Sequence, residues 1–277
     1  MRKNLKHMKH LMAIVVGLAL SVITILPAAA EEEEPLADLS VAVLSDYIWR
    51  GQELSRDSAV IQPSMTISYQ DFSANLWSNL DTDPYTSASG EDNSSACNET
   101  DFTLSYAREF GPVSVEGGYI YYDLEGVDDS QELFLSLGLD TLLSPALTVY
   151  REVYKSEHWY FLLGISHSFE ISKAVSLELS ASASYLESLD ADAYPDIDSS
   201  GAATDDEFSH FHDGVISASL PVSVAKYITI TPSLGYTFAL SSDASDEMEW
   251  RSRSFRGKTT GGDDNFVYGG VTVSVAF

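Results

Sequence analysis

The stretch Lys226-Tyr227-Ile228-Thr229-Ile230-Thr231-Pro232-Ser233-Leu234-Gly235-Tyr236-Thr237-Phe238-Ala239-Leu240 alternates along most of its length. Ile228, Ile230, Leu234, Tyr236, Phe238 and Leu240 fall on one face; Thr229, Thr231, Ser233, Gly235 and Thr237 fall on the other. Side chains of a strand point alternately to opposite faces, so this period of two marks a strand with one apolar face. The polar face then separates two architectures. In a soluble sandwich it meets water and carries many charges; in a membrane barrel it lines a crowded lumen while the apolar face meets lipid. Here it is small and neutral.

The pattern recurs in both directions from this stretch. Val175, Leu177, Leu179, Ala181, Ala183 and Tyr185 oppose Ser176, Glu178, Ser180, Ser182 and Ser184; Ile61, Met65, Ile67 and Tyr69 oppose Gln62, Ser64, Thr66, Ser68 and Gln70. About twelve such segments are expected, at 37–50, 57–70, 71–80, 99–110, 112–124, 131–141, 145–154, 158–170, 173–189, 206–221, 225–241 and 264–277. No window beyond the N-terminal apolar run reads as a long amphipathic helix. Pro63 and Pro232 fall inside two of the segments, where a central strand resists them.

The connections alternate in length. Tyr69–Phe72, Glu109–Pro112, Leu142–Pro145, Ile171–Ala174 and Pro221–Ala225 are tight, whereas Asp81–Asn98, Asp190–Asp205 and Ser241–Asp263 are long and polar. One short and one long rim are the mark of a transmembrane barrel, short turns toward the periplasm and long loops outside. The last segment, Phe266–Phe277, aligns Val271, Val273, Val275 and Phe277 on one face. A terminal aromatic at the tip of such a strand resembles the signal that outer-membrane barrels present to their assembly machinery, so Phe277 is the expected assembly signal. Tyr47, Trp49, Tyr69, Tyr121 and Trp159 lie near segment ends, where interfacial girdles form. The expected fold is thus all-β: a transmembrane antiparallel up-and-down β-barrel of about twelve strands in the bacterial outer membrane.

The N-terminus reads as an export signal. Met1–His10 carries Arg2, Lys3, Lys6 and Lys9, Leu11–Leu26 is apolar, and Pro27-Ala28-Ala29-Ala30 offers a small-residue cleavage site. The apolar run is shorter than the ~20 residues of a spanning helix. The expected organisation is a signal peptide over 1–30, a short acidic periplasmic start over 31–36 and the barrel over 37–277. Cleavage would leave 42 acidic residues against 11 of the original 15 basic ones, a formal charge of −31. That balance argues against nucleic acid or anionic lipid as a partner, since both need a basic surface. Cys97 is the only cysteine, so no internal disulfide can form.

Alternation selects six lumen charges: Asp46, Arg50, Glu116, Asp140, Glu178 and Asp213. Five are acidic, so a pore lined by them prefers cations. Asp46 and Arg50 lie four residues apart, roughly 13 Å along a strand, and each is expected to pair across to a neighbouring strand or to contact solute. Strict alternation sends either Arg151 or Glu152 toward lipid, and the sequence leaves that choice open. His210 and His212 share a strand face and could chelate a metal, but spacing supplies no third ligand; the plainer reading is polar residues at a loop border. His167 stands between Ser166 and Ser168 without an orienting third group, so no catalytic set is expected. Asp190, Asp192, Asp196, Asp198, Asp205 and Asp206 read as a solvated acidic loop, loosely holding divalent ions in the lipopolysaccharide layer. Arg251, Arg253, Arg256 and Lys258 concentrate positive charge in the last loop. They could grip lipid phosphates, form a constriction in the lumen, or tether the neighbouring acidic loops. No cofactor and no metal site are expected; the partners are outer-membrane lipid, lipopolysaccharide and the assembly machinery.

Ser45-Asp46-Tyr47-Ile48-Trp49-Arg50-Gly51 resembles the Ser-Asp-Tyr-x-x-Arg-Gly motif of the TorF-like porins. The resemblance continues through Gln62-Pro63-Ser64 and Phe72-Ser73-Ala74-Asn75-Leu76-Trp77-Ser78-Asn79, and more loosely at Leu147–Tyr150 and Trp159–Phe169. It departs at Ile48-Trp49 and at Gln52-Glu53-Leu54. The resemblance implies an outer-membrane barrel with passive transport of small hydrophilic solutes, and it brings no ligand residues with it. The alternative to a channel is a non-conducting barrel whose acidic loops act at the cell surface.

Overall fold

The computed structural model describes residues 36–55, 58–82, 97–255 and 262–277, with backbone alone at 253–255. The expected signal peptide and nearly all of the acidic start lie outside the described residues, as do Arg256 and Lys258.

Twelve antiparallel strands form one closed sheet. They are β1 (Leu36–Leu44), β2 (Val60–Tyr69), β3 (Phe72–Asp81), β4 (Cys97–Phe110), β5 (Val113–Leu124) and β6 (Ser130–Leu139), then β7 (Ala146–Glu152), β8 (His158–Ser172), β9 (Val175–Ser188), β10 (Ser209–Ser219), β11 (Ile228–Ala239) and β12 (Asn265–Ala276). Val222–Ala225 continues β10 beyond a break at Leu220-Pro221, pairing with the same two neighbours. Each strand pairs with its sequence neighbour, and β1 closes the sheet on β12 from Asp38↔Ala276 to Leu44↔Gly270. Ala37 and Phe277 exchange backbone hydrogen bonds of 2.7 and 2.9 Å at the rim. Closure leaves no open sheet edge, which is the condition for strands to cross lipid. At this seam a Cβ on Gly270 would stand 2.0 Å from the Val43 carbonyl, so only glycine lets β12 approach β1 so closely.

The alternation seen in sequence sorts onto the two sides of this wall. Leu39, Val41, Val43, Met65, Ile67, Leu76, Leu104, Leu163, Ile165, Ile216, Leu234, Val271 and Val273 point outward and are exposed. The lumen side of the short-turn half carries small hydroxyls and amides bonded across strands. Asn75 donates to Ser64 and Thr66 at 2.8 Å each, Thr148 donates to Ser136 at 2.9 Å, and Ser180 meets Ser217 at 2.7 Å. Pro232 sits inside β11 where β10 is interrupted, and Leu220 N donates to its carbonyl at 2.9 Å.

Two expectations fail here. The first strand stops at Leu44 instead of running to 50. Residues 45–59 form a connection with its own hairpin, Ile48–Trp49 against Gln52–Glu53. The last long loop also contains a helix, α1 (Ser242–Phe255). Its buried stripe is Ala244, Glu247, Met248 and Ser252, at helical spacing but half polar. A search for apolar periodicity does not register such a stripe. Ser241 caps the helix, its Oγ accepting from Ala244 N at 3.0 Å.

Candidate functional site

All the largest fully buried side chains lie toward the long-loop end, among them Leu186, Phe208, Met248, Glu132, Glu152, Glu247, His212 and Asp213. The outer half of the lumen is therefore filled. Three elements fill it: the hairpin after β1, the connection carrying Tyr194 and Phe208, and α1.

The hairpin turns on Arg50-Gly51, both at positive φ (47° and 76°). A two-residue hairpin of type I′ requires positive φ at both turn positions. A Cβ on Gly51 would lie 3.1 Å from Asp213 Cβ on β10 and 3.1 Å from Met248 Sδ on α1. The turn is thus wedged between wall and helix. Arg50 reaches across to β6, where its guanidinium donates to both oxygens of Glu132 at 2.6 and 2.8 Å. Its Cζ stacks over Trp49, Tyr150 and Tyr160 at 4.5, 4.7 and 4.4 Å. Tyr122 donates to the same carboxylate at 2.8 Å. His158 Nδ1 lies 2.6 Å from the Ser156 carbonyl, which makes it the donor and leaves Nε2 to accept from Arg50 at 3.2 Å.

The second network docks α1. Glu247 faces His212 Nε2 at 3.1 Å, and the other ring nitrogen faces Asp213 at 3.0 Å. Both contacts are hydrogen bonds when the ring carries both protons. Asp213 also accepts from Tyr160 at 2.8 Å and Ser184 at 2.7 Å. Arg251 binds Glu247 one helical turn away and the Ala193 carbonyl, with its Cζ 4.1 Å from the Tyr194 ring. Tyr194 in turn packs on His158 at 4.8 Å, joining the two networks. Burial pushes the Glu247 carboxyl up, but Arg251 and the His212 hydrogen bond outweigh burial and hold it at about 2.

The residues selected from sequence fall in different places. Asp213 and Arg50 belong to these networks, but Arg50 sits at a hairpin tip and not on the wall. Asp46 is half-buried in the same connection. Tyr47 and Trp49 are not part of a lipid girdle: Tyr47 is buried and donates to Glu99 at 3.2 Å, and Trp49 lies against Tyr122 and Arg50. Glu116 is half-buried on the lumen side of β5, in register with Ser136. Asp140 is a correction, since it lies exposed beyond β6 in a turn at the short rim. Glu178 faces a cavity of about 650 Å³ at the short-turn end, shared with Ser166, Ser168, Ser180 and Ser217.

Arg151 points outward at the long rim, over Trp159 at 5.3 Å and paired with Glu157. Glu152 points inward and is buried; it accepts from the backbone of Tyr154 and Lys155 at 3.0 and 3.1 Å, closing the turn to β8. His210 and His212 do not form a polar border. A bulge in β10 buries His212 completely while His210 stays half-exposed. His167 Nδ1 lies 2.6 Å from the Leu142 carbonyl, on the outer face away from Ser166 and Ser168. In the acidic loop Asp198 is a turn residue, accepting from Ser200 N and Ala202 N at 2.8 and 3.1 Å; these bonds, the Ser200 hydroxyl first, pull its carboxyl below the usual range. Of the basic cluster, Arg251 tethers the neighbouring loop. Arg253 is described by backbone alone. Phe277 is exposed on the outer face at the seam.

Sequence reasoning missed most of the buried charge. Glu53, Asp81, Glu99, Glu132, Glu152, Asp213 and Glu247 are all buried, against the guanidinium groups of Arg50 and Arg251 among the described residues. For β6 the signal was present: Leu133, Leu137 and Leu139 facing outward place Glu132 inward.

No family model matches the chain, and no curated protein matches it. Among solved structures, the NanC porin aligns at 11% identity and a TM-score of 0.49, covering 87% of this chain and 98% of that one. The COG4313 outer membrane channel from Pseudomonas putida F1 aligns at 10% identity and 0.48, covering 91% and 100%. The translocator domain of autotransporter NalP from Neisseria meningitidis aligns at 10% and 0.43, covering 88% of each chain. The location follows from the wall itself. A belt of exposed Leu, Val, Ile, Met and Phe around a closed sheet with a polar interior is stable in lipid and not in water. The chain is a closed twelve-stranded antiparallel β-barrel whose apolar outer face is built for lipid.

Proposed function

We propose that this barrel is a narrow, cation-preferring channel for small hydrophilic solutes, of the TorF-like kind, exported through a cleaved N-terminal signal. The observation that carries the reading is the charge of the constricted outer lumen: among the described residues, seven buried carboxylates against two guanidinium groups and the doubly protonated His212 ring. Fixed negative charge in a narrow, low-dielectric passage concentrates cations and repels anions. Both Arg side chains are already engaged, Arg50 by Glu132 and Arg251 by Glu247, so neither guanidinium stands ready to attract an anion. The inner half, lined by Ser, Thr and Asn together with Glu116 and Glu178, offers hydrogen bonds to a hydrated solute.

Reversal potentials in a KCl gradient across a planar bilayer test this. Cation selectivity that grows as salt is lowered and screening weakens is the expected result; anion selectivity contradicts it. The filling of the outer half favours a second reading, a non-conducting barrel that presents its loops at the cell surface. Absence of any conductance, both in the refolded wild type and in a variant without the 47–54 hairpin, would select that second reading.

A further inference from the structure

We propose that Asp196, His210 and Asp243 form a transition-metal site on the outer rim, with Zn²⁺ as the ion of best chemical fit. The three residues come from three separate elements: the small strand Pro195–Ile197, the start of β10, and the first turn of α1. Each offers one ligand atom, and these atoms all lie within 4.8 Å of one another. That spread suits three ligands around a single ion, because donor atoms each about 2.0–2.2 Å from zinc lie between 3 and 4.5 Å apart.

The donor set is selective. One imidazole nitrogen and two carboxylate oxygens suit Zn²⁺ and its first-row neighbours, whereas Ca²⁺ takes six to eight oxygens. His210 Nδ1 is 3.6 Å from Asp243 Oδ2, too long for a hydrogen bond but suited to two ligands of one ion. Among the described residues no Lys or Arg is within salt-bridge distance of Asp196 or Asp243. All three side chains are half-buried, so a fourth position stays open to water. His210 is held edge-on against the Phe208 ring, 5.3 Å between centroids, which limits its rotation. Spacing in sequence gave His210 only His212 as a companion; the fold turns His212 into the lumen and brings two distant aspartates in its place.

Such an ion would join α1 to the small strand Pro195–Ile197 and to β10, pinning the helix that carries Glu247 and Met248 into the lumen. The site stands whether or not the barrel conducts. Calorimetric titration of ZnCl₂ into the refolded full barrel, purified without a polyhistidine tag, tests it. One-to-one binding is expected in the wild type and in His167→Gln, weakened tenfold or more in His210→Gln and in Asp243→Asn, with CaCl₂ giving no comparable heat. Heat-modifiable mobility verifies that each variant is folded. Zinc should also slow proteolysis within α1 in the wild type and leave the rate unchanged in His210→Gln. Absence of saturable zinc binding, equal affinity in both site variants, loss of binding in His167→Gln, or equal affinity for calcium would overturn the proposal.

Discussion

Arg50 occupies a backbone conformation that costs an ordinary L-residue roughly 1–2 kcal/mol, and its surroundings hold it there. A bidentate contact to Glu132, three aromatic faces and a histidine acceptor surround the guanidinium. Removing one member of a buried ion pair leaves the other uncompensated, typically a loss of about 3–5 kcal/mol. Arg50→Ala should therefore lower the stability of the refolded barrel by about that amount in equilibrium urea titration. Arg50→Ala/Glu132→Ala should cost clearly less than the two single changes together, because no charge is stranded. Strict additivity would show that the pair is not coupled. Arg50→Lys should not rescue, since an ammonium cannot satisfy the fork and stacks poorly. The alternation argument aims Arg50 inward by extending β1 to residue 50. The chain aims it inward by another route, a turn whose Arg-Gly pair carries positive φ.

At the scale of elements, the strands were the legible part. Each owes its place to a local repeat of small polar against apolar residues, and all twelve segments overlap strands of the barrel. The hairpin and α1 escaped because neither depends on an apolar repeat. The hairpin is anchored by long-range contacts from Arg50 and Gly51, and α1 by a buried stripe in which a carboxylate does the docking. That carboxylate makes the helix acid-sensitive in a defined window. Glu247 is held at about 2 against an ordinary value of 4.5. Its contribution is complete above pH 4.5 and is lost as the pH falls from 4.5 toward 2, where the docked state too takes up a proton. Emission from Trp250, which α1 carries, should shift in that window in the wild type. In Glu247→Gln the shift should be absent and the undocked emission present already at neutral pH. A transition centred above pH 5 would mean that another group controls docking.

Taken whole, the barrel has two unlike halves. The inner half is lined mainly by hydroxyls and amides, with Glu116 and Glu178 among them. The outer half is packed with buried charge in which Arg50 is matched by Glu132 and Arg251 by Glu247. Sequence reading expected a mostly acidic lumen from a different set of residues. Four of the six selected residues lie elsewhere than in this packed layer: Asp46 in the loop, Glu116 on the open wall, Asp140 at the short rim, Glu178 in the inner cavity. Glu132 was readable from the phase of its strand, Glu152 was left open against Arg151, and Glu247 became a lumen residue only through the folding of a loop. The claim on which the account rests is that the hairpin and α1 together form the barrier to passage. Single-channel conductance measures it most directly. A variant in which residues 47–54 are replaced by a short glycine-serine linker should conduct several-fold more than the wild type, with larger and longer openings. Unchanged conductance on removing the hairpin would contradict the account.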